Sequence, residues 1–126
     1  MKQLAATLLL AVSGIASAQS SAMPAMASPD AVTVVVQIAT SPGVKPDQAL
    51  PAMMAMRSHV AKQPGFLQDE FLQNANPGAT PSYVHVMRWA SLKYWESVFI
   101  SPEFAKLNAA GSKSYSITAN AFKTVK

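Results

Sequence analysis

Cysteine is absent from the 126 residues. That excludes disulfides, thiolate metal sites and a cysteine nucleophile. Charge is also scarce: 13% of residues are Asp, Glu, Lys or Arg, against 50% hydrophobic. This balance excludes a disordered chain. Ten Lys and Arg outnumber six Asp and Glu, giving +4, but they form no basic run. The electrostatic footprint of a nucleic-acid binder is therefore missing, and no nucleic-acid partner is expected. No apolar run approaches the roughly 20 residues that span a bilayer. The length fits one domain of roughly 100–200 residues.

What is present begins with an export signal. Lys2 gives a positive start, Leu4 to Val12 are apolar apart from Thr7, and Ala16-Ser17-Ala18 supplies a small-x-small cleavage site. Residues 1–18 are expected to be a secretory signal peptide, which places the mature protein in the periplasm or outside the cell, free of the membrane. Only Lys2 leaves with it, so nine basic residues remain against six acidic ones, or +3. Gln19 to Asp30, QSSAMPAMASPD, is small, polar and Pro-containing, and is expected to be a flexible linker. The folded domain is then residues 31–126.

The element order follows from periodicity and turn residues. Ala31–Thr40 is β-branched and apolar, a strand. Ser41-Pro42-Gly43 is a turn. Pro46 and Asp47 open a helix that runs to about Gln63, with Ala49, Met53, Met56 and Val60 on one apolar stripe. Pro51 falls near the first turn, where it would delay the start. Pro64-Gly65 ends the helix. Phe66–Gln73 and Tyr83–Trp89 are two strands of a hairpin, joined by a loop of about nine residues. Ser91 suits an N-cap for helix from Leu92 to about Ala110, broken at Ser101-Pro102-Glu103 and closed by Gly111. Tyr115–Lys123 is the fourth strand.

The order β-α-β-β-α-β is the split-βαβ, ferredoxin-like α+β arrangement: a four-stranded antiparallel sheet with helices on one face. The first strand is apolar on both sides. Val32, Val34, Val36 and Ile38 point one way, Val35 and Ala39 the other. A strand apolar on both sides is covered on both sides. With helices on one face, a second copy of the chain is expected on the other, as a homodimer.

Three segments carry a family resemblance: Gln63-Pro64-Gly65-Phe66-Leu67, Met87-Arg88-Trp89-Ala90-Ser91 and Ser101-Pro102-Glu103-Phe104. In this order and spacing they resemble the antibiotic biosynthesis monooxygenase domain, a dimeric α+β barrel, over about Val32 to Phe122. The resemblance implies dimers with a ligand pocket between sheet and helices. It also implies, for some members, oxygenation of anthrones, quinols or related aromatics by O2 without metal or flavin. The haem-degrading branch is not implied. Its Asn position falls on Val36 or Gln37, its Trp position near Val98 and its His position on Asn108, so all three are missing.

Cofactorless oxygenation needs a base to remove a proton from the substrate and donors for the anion that results. Of the two histidines, His59 and His85, His85 shares its strand parity with Tyr83, Met87 and Trp89. It is the candidate base for a small aromatic substrate, its ring titrating near neutrality; the other reading is a hydrogen-bonded histidine at the dimer surface. Arg88, Asn120 and Gln37 are candidate anion donors, although Arg88 could instead bridge to Glu96 or Glu70. Tyr83, Trp89 and Tyr115 are candidate aromatic walls. No cofactor is expected. Two other classes stay open. One is a dimer that binds a small molecule without turnover. The other is a copper protein built on thioethers, with Met53, Met56 and His59 spaced by three on the first helix and Met23 and Met26 in the linker.

Overall fold

A computed structural model describes residues 29–126. The expected signal peptide lies outside them, as does residues 19–28 of the expected linker; Pro29 and Asp30 form a turn into the first strand. The elements are β1 (Val32–Thr40), α1 (Pro46–Val60), β2 (Phe66–Gln73), β3 (Tyr83–Trp89), α2 (Leu92–Phe99), α3 (Pro102–Gly111) and β4 (Tyr115–Phe122). The four strands form one antiparallel sheet in the order β2-β3-β1-β4. This is the ferredoxin-like α+β fold.

The two central strands bury one side each. Val32, Val34, Val36 and Ile38 of β1 are all buried, as are Tyr83, His85, Met87 and Trp89 of β3. The helices cover this side, and α1 contributes Ala49, Met53 and Val60 to the same core. The opposite side carries Val35 of β1, Val84 and Val86 of β3 and Phe122 of β4, none of them fully buried. No described helix or strand covers it.

The helix boundaries have local causes. α1 starts at Pro46, where the backbone N–H of Lys45 donates to Gln48 Oε1 at 2.9 Å. Pro51 sits exposed inside the helix and does not delay it. The helix ends at Val60, before Gln63, because the following N–H groups of Lys62 and Gln63 donate to His59 and Val60, three residues back. That tightening, and the left-handed Gly65 (φ +88°), turn the chain into β2. A Cβ at Gly65 would also run into the Tyr94 side chain of α2. The break at Pro102 is capped by Ser101, whose Oγ accepts from the Phe104 N–H at 3.2 Å. Ser91 stands at the N-cap of α2 without making a side-chain cap bond. β4 stops at Phe122, one residue short of Lys123.

One irregularity decides which residues of β2 face the helices. Phe66 pairs with Trp89, but Gln68 pairs with the next residue, Arg88, so the ladder bulges between them. Paired residues share a face, so Phe66 faces the helices together with Asp69 and Phe71, opposite Met87 and His85. A regular strand starting from Phe66 would have sent Gln68, Glu70 and Leu72 there instead.

Candidate functional site

Asp69 enters the helix-covered layer through that bulge, and a carboxylate in such a place must be paired. It is paired twice. From α1, Arg57 donates from Nε to Asp69 Oδ2 at 2.7 Å and from a terminal nitrogen to Oδ1 at 3.1 Å. From β3, His85 Nε2 lies 2.7 Å from Asp69 Oδ2. The side chains grade inward, with Arg57 36% exposed, Asp69 13% and His85 6%. Phe71 fills the angle between them. The Arg57 guanidinium stands 5.8 Å from the centre of its ring, and His85 and Tyr83 pack on it at 5.5 and 5.4 Å.

The electrostatics follow from this order. The Arg57 hydrogen bonds hold the Asp69 carboxyl below its ordinary value, against the opposing effect of burial, so it is ionised. Asp69 in turn raises Arg57. Burial holds the His85 imidazole below its ordinary 6.5, and Asp69 offsets part of that shift. His85 is therefore a neutral ring near pH 7. A carboxylate only accepts, so Nε2 carries the proton and donates it to Asp69. Nδ1, which bonds no described residue, keeps the lone pair.

His85 lines a cavity between the sheet and α1, α2 and α3. Its walls are apolar: Val36, Met53, Met56, Phe71, Met87 and Trp95 among them, with Tyr115 as a further lining residue. The open space is about 30 Å³. A water needs roughly 10–15 Å³, and a cavity that takes benzene measures about 150 Å³, so this cavity has room for a water or an O2 but not for a ring. The three methionines in its wall are unbranched and adaptable, which is how it can widen.

The sequence-derived candidates divide between the two faces. His85 and Tyr115 line the cavity. Tyr83 stacks on Phe71 beside it. Trp89, fully buried, belongs to an aromatic layer with Phe66 at 5.4 Å and Trp95 at 5.7 Å, and does not line the cavity. Gln37, Arg88 and Asn120 do not join His85 in this cavity. Strand alternation turns them to the uncovered face, where Gln37 pairs with Val84, Asn120 with Val35 and Arg88 with Thr33. Arg88 donates to Thr33 Oγ1 at 2.9 Å. Met53 and Met56 both stand in the cavity wall, whereas His59 is not among its lining residues. Arg57 and Asp69 escaped the sequence reading because only the bulge brings Asp69 to this side.

No protein-family profile matches the sequence, and no curated protein matches it. Solved structures do match. SnoaB, a cofactor-independent oxygenase from Streptomyces nogalater, shares 20% identity over 77% of this chain and 95% of its own, with a TM-score of 0.66. A candidate monooxygenase from Shewanella loihica PV-4 shares 23% over 76% and 95%, at 0.59. A dimeric protein of unknown function and ferredoxin-like fold from Bacteroides fragilis shares 17% over 75% and 97%, at 0.60.

The Arg57–Asp69–His85 chain predicts how the imidazole titrates. Followed by NMR of the His85 ring, Asp69→Asn lowers its pKa further, because the carboxylate favours imidazolium. Arg57→Ala raises it, because a nearby cation that opposes imidazolium has gone. An unchanged titration in Asp69→Asn would show that the 2.7 Å contact does not persist in solution. At the level of the fold, the chain is thus similar to cofactor-independent oxygenases and monooxygenase-like proteins, as the resemblance to the antibiotic biosynthesis monooxygenase domain implied.

Proposed function

We propose that this chain is an exported, homodimeric, cofactor-independent monooxygenase of the antibiotic biosynthesis monooxygenase type, acting on a small aromatic or quinol-type compound. The observation that carries the reading is a neutral histidine, held by a carboxylate 2.7 Å away, facing an apolar cavity. The likeness in fold to SnoaB supports it.

The chemistry asks little more of the protein. His85 Nδ1 takes a proton from an acidified C–H of the aromatic substrate, and Asp69 stabilises the imidazolium that forms. The substrate anion passes one electron to O2, and the resulting radical and superoxide combine as a peroxide. Loss of water from the peroxide leaves a carbonyl. A CH2 group and O2 thus become C=O and H2O, with no external reductant. The dry, apolar wall strengthens the electrostatic support that the ion pair gives to the charged intermediate.

The rate test is His85→Ala, assayed as oxygen uptake on an anthrone. The expected loss is roughly 10²–10⁴-fold, the usual worth of a positioned base. In the wild type the rate falls on the acid side, and because burial depresses the imidazole, that fall lies below the ordinary 6.5. Unchanged uptake in His85→Ala removes the residue as the base. Tight ligand binding by a wild type that consumes no oxygen favours the binding module instead.

Dimerisation through the uncovered sheet face rests on its valines, Val35, Val84 and Val86, and on the dimeric Bacteroides fragilis protein of the same fold. Gln37, Arg88 and Asn120 would then lie at the interface. Light scattering is expected to give twice the monomer mass for the wild type and the monomer for Val35→Asp. An unpaired carboxylate buried there costs several kcal/mol, to order of magnitude. A wild type that stays monomeric at micromolar concentration would remove the interface.

Export rests on Lys2, the Leu4–Val12 run and Ala16-Ser17-Ala18. N-terminal sequencing of the protein recovered from the periplasm or medium is expected to begin at Gln19. A cytoplasmic chain that retains Met1 contradicts it.

A further inference from the structure

The cavity that His85 lines has a second polar group, Tyr115. Its side chain is buried, 3% exposed, and its phenol oxygen has no hydrogen-bond partner among the described residues. An unpaired buried hydroxyl is costly, and native structures rarely keep one without a use. Burial also raises the phenol above its ordinary 10.0, so the group is a donor at every working pH.

Its seat is built. The hydroxyl end of Tyr115 rests against Gly111, the last residue of α3; a Cβ there would come within 2.6 Å of the phenol oxygen. Gly111 has no positive φ, so its glycine serves space rather than backbone conformation. The register fixes where this group stands relative to His85. His85 is opposite Val36 on β1, and Tyr115 is opposite Thr40 from the other side. They are four residues apart along β1, roughly 13 Å at 3.3 Å per residue, and on strands flanking it. Apolar side chains line the same cavity: Val36, Ile38, Met53, Met56 and Ile117.

We propose that Tyr115 is a substrate-binding residue: its hydroxyl donates a hydrogen bond to a second oxygen of an aromatic substrate whose reacting end faces His85. The site then selects ring systems with oxygen functions at both ends over those with one. Gly111 makes room for the donor, and the methionines yield to admit the rings. This deepens the oxygenase reading of the same cavity and rests on it for the word substrate.

The experiment is anaerobic binding of a matched pair, 2,6-dihydroxynaphthalene and 2-naphthol, to wild type and Tyr115→Phe. The wild type is expected to prefer the diol by about tenfold, the worth of one neutral hydrogen bond. Tyr115→Phe abolishes the preference and leaves 2-naphthol affinity unchanged. Its melting temperature does not fall, because the hydroxyl had no partner to lose. Equal affinities in the wild type, binding of neither compound, or a preference that survives in Tyr115→Phe overturns the proposal. So does a lowered melting temperature with the preference intact, which would give the hydroxyl to the fold. Binding without oxygen leaves turnover aside: a diol preference lost in Tyr115→Phe, in a protein that consumes no oxygen on an anthrone, upholds this inference and overturns the oxygenase reading alone.

Discussion

A carboxylate drawn into an apolar layer loses its water and must find its replacement among neighbouring side chains, and in this protein that requirement organises the site around Asp69. Arg57 reaches it from α1 with two hydrogen bonds, and His85 reaches it from β3 with one. One side chain thus ties a helix to the edge strand and to the strand beside it. The Arg57 guanidinium stands over the Phe71 ring, and Phe71 packs against His85 and Tyr83. The position of the imidazole is therefore determined by a carboxylate on one side and an aromatic ring on the other. These contacts hold the ring in one orientation.

The same constraint separates polar from apolar function. The cavity wall beyond His85 is almost wholly hydrocarbon and thioether, so the few polar atoms there lie in low-dielectric surroundings that strengthen their electrostatics. Below it, Trp89, Trp95, Phe99 and Phe104 form a continuous aromatic layer, each ring within about 6 Å of the next. Trp89, fully buried at the end of β3, anchors this layer without lining the cavity, whereas the unbranched methionines of α1 stand in the cavity wall. On the other side of the sheet, valines are interspersed with Thr33, Gln37, Arg88 and Asn120. The arrangement puts the cavity on one face of the sheet and leaves the other face without a described covering element.

Much of the architecture was legible in the chain. Strand one is β-branched and ends in Ser-Pro-Gly. Ser101-Pro102 interrupts the last helix because proline lacks an N–H and serine can cap. The parity of β4 was readable because no bulge disturbs it. The end of α1 was less legible. Gln63 has the helix propensity to continue, and the tightening after Val60 is imposed by the need to turn back onto Trp89 and α2, which no local propensity encodes.

The site was legible in part. His85 could be singled out by its parity with Tyr83, Met87 and Trp89, and Tyr115 by its own strand. Arg57 and Asp69 could not be joined to it. Arg57 lies twelve residues from Asp69, and Asp69 sixteen from His85, and counting by twos from Phe66 puts Asp69 on the wrong face. Gln37, Arg88 and Asn120 had suitable chemistry but the opposite parity, and the sequence holds no mark of which face the helices will cover. By itself, then, the sequence determined the order of the elements, the two-sided apolar character of β1 and the alternation along each regular strand, because these depend on local sterics and period. Only the tertiary structure decided which face became the cavity and which carboxylate met the histidine, because both depend on a single bulge and on pairing between segments far apart in the chain.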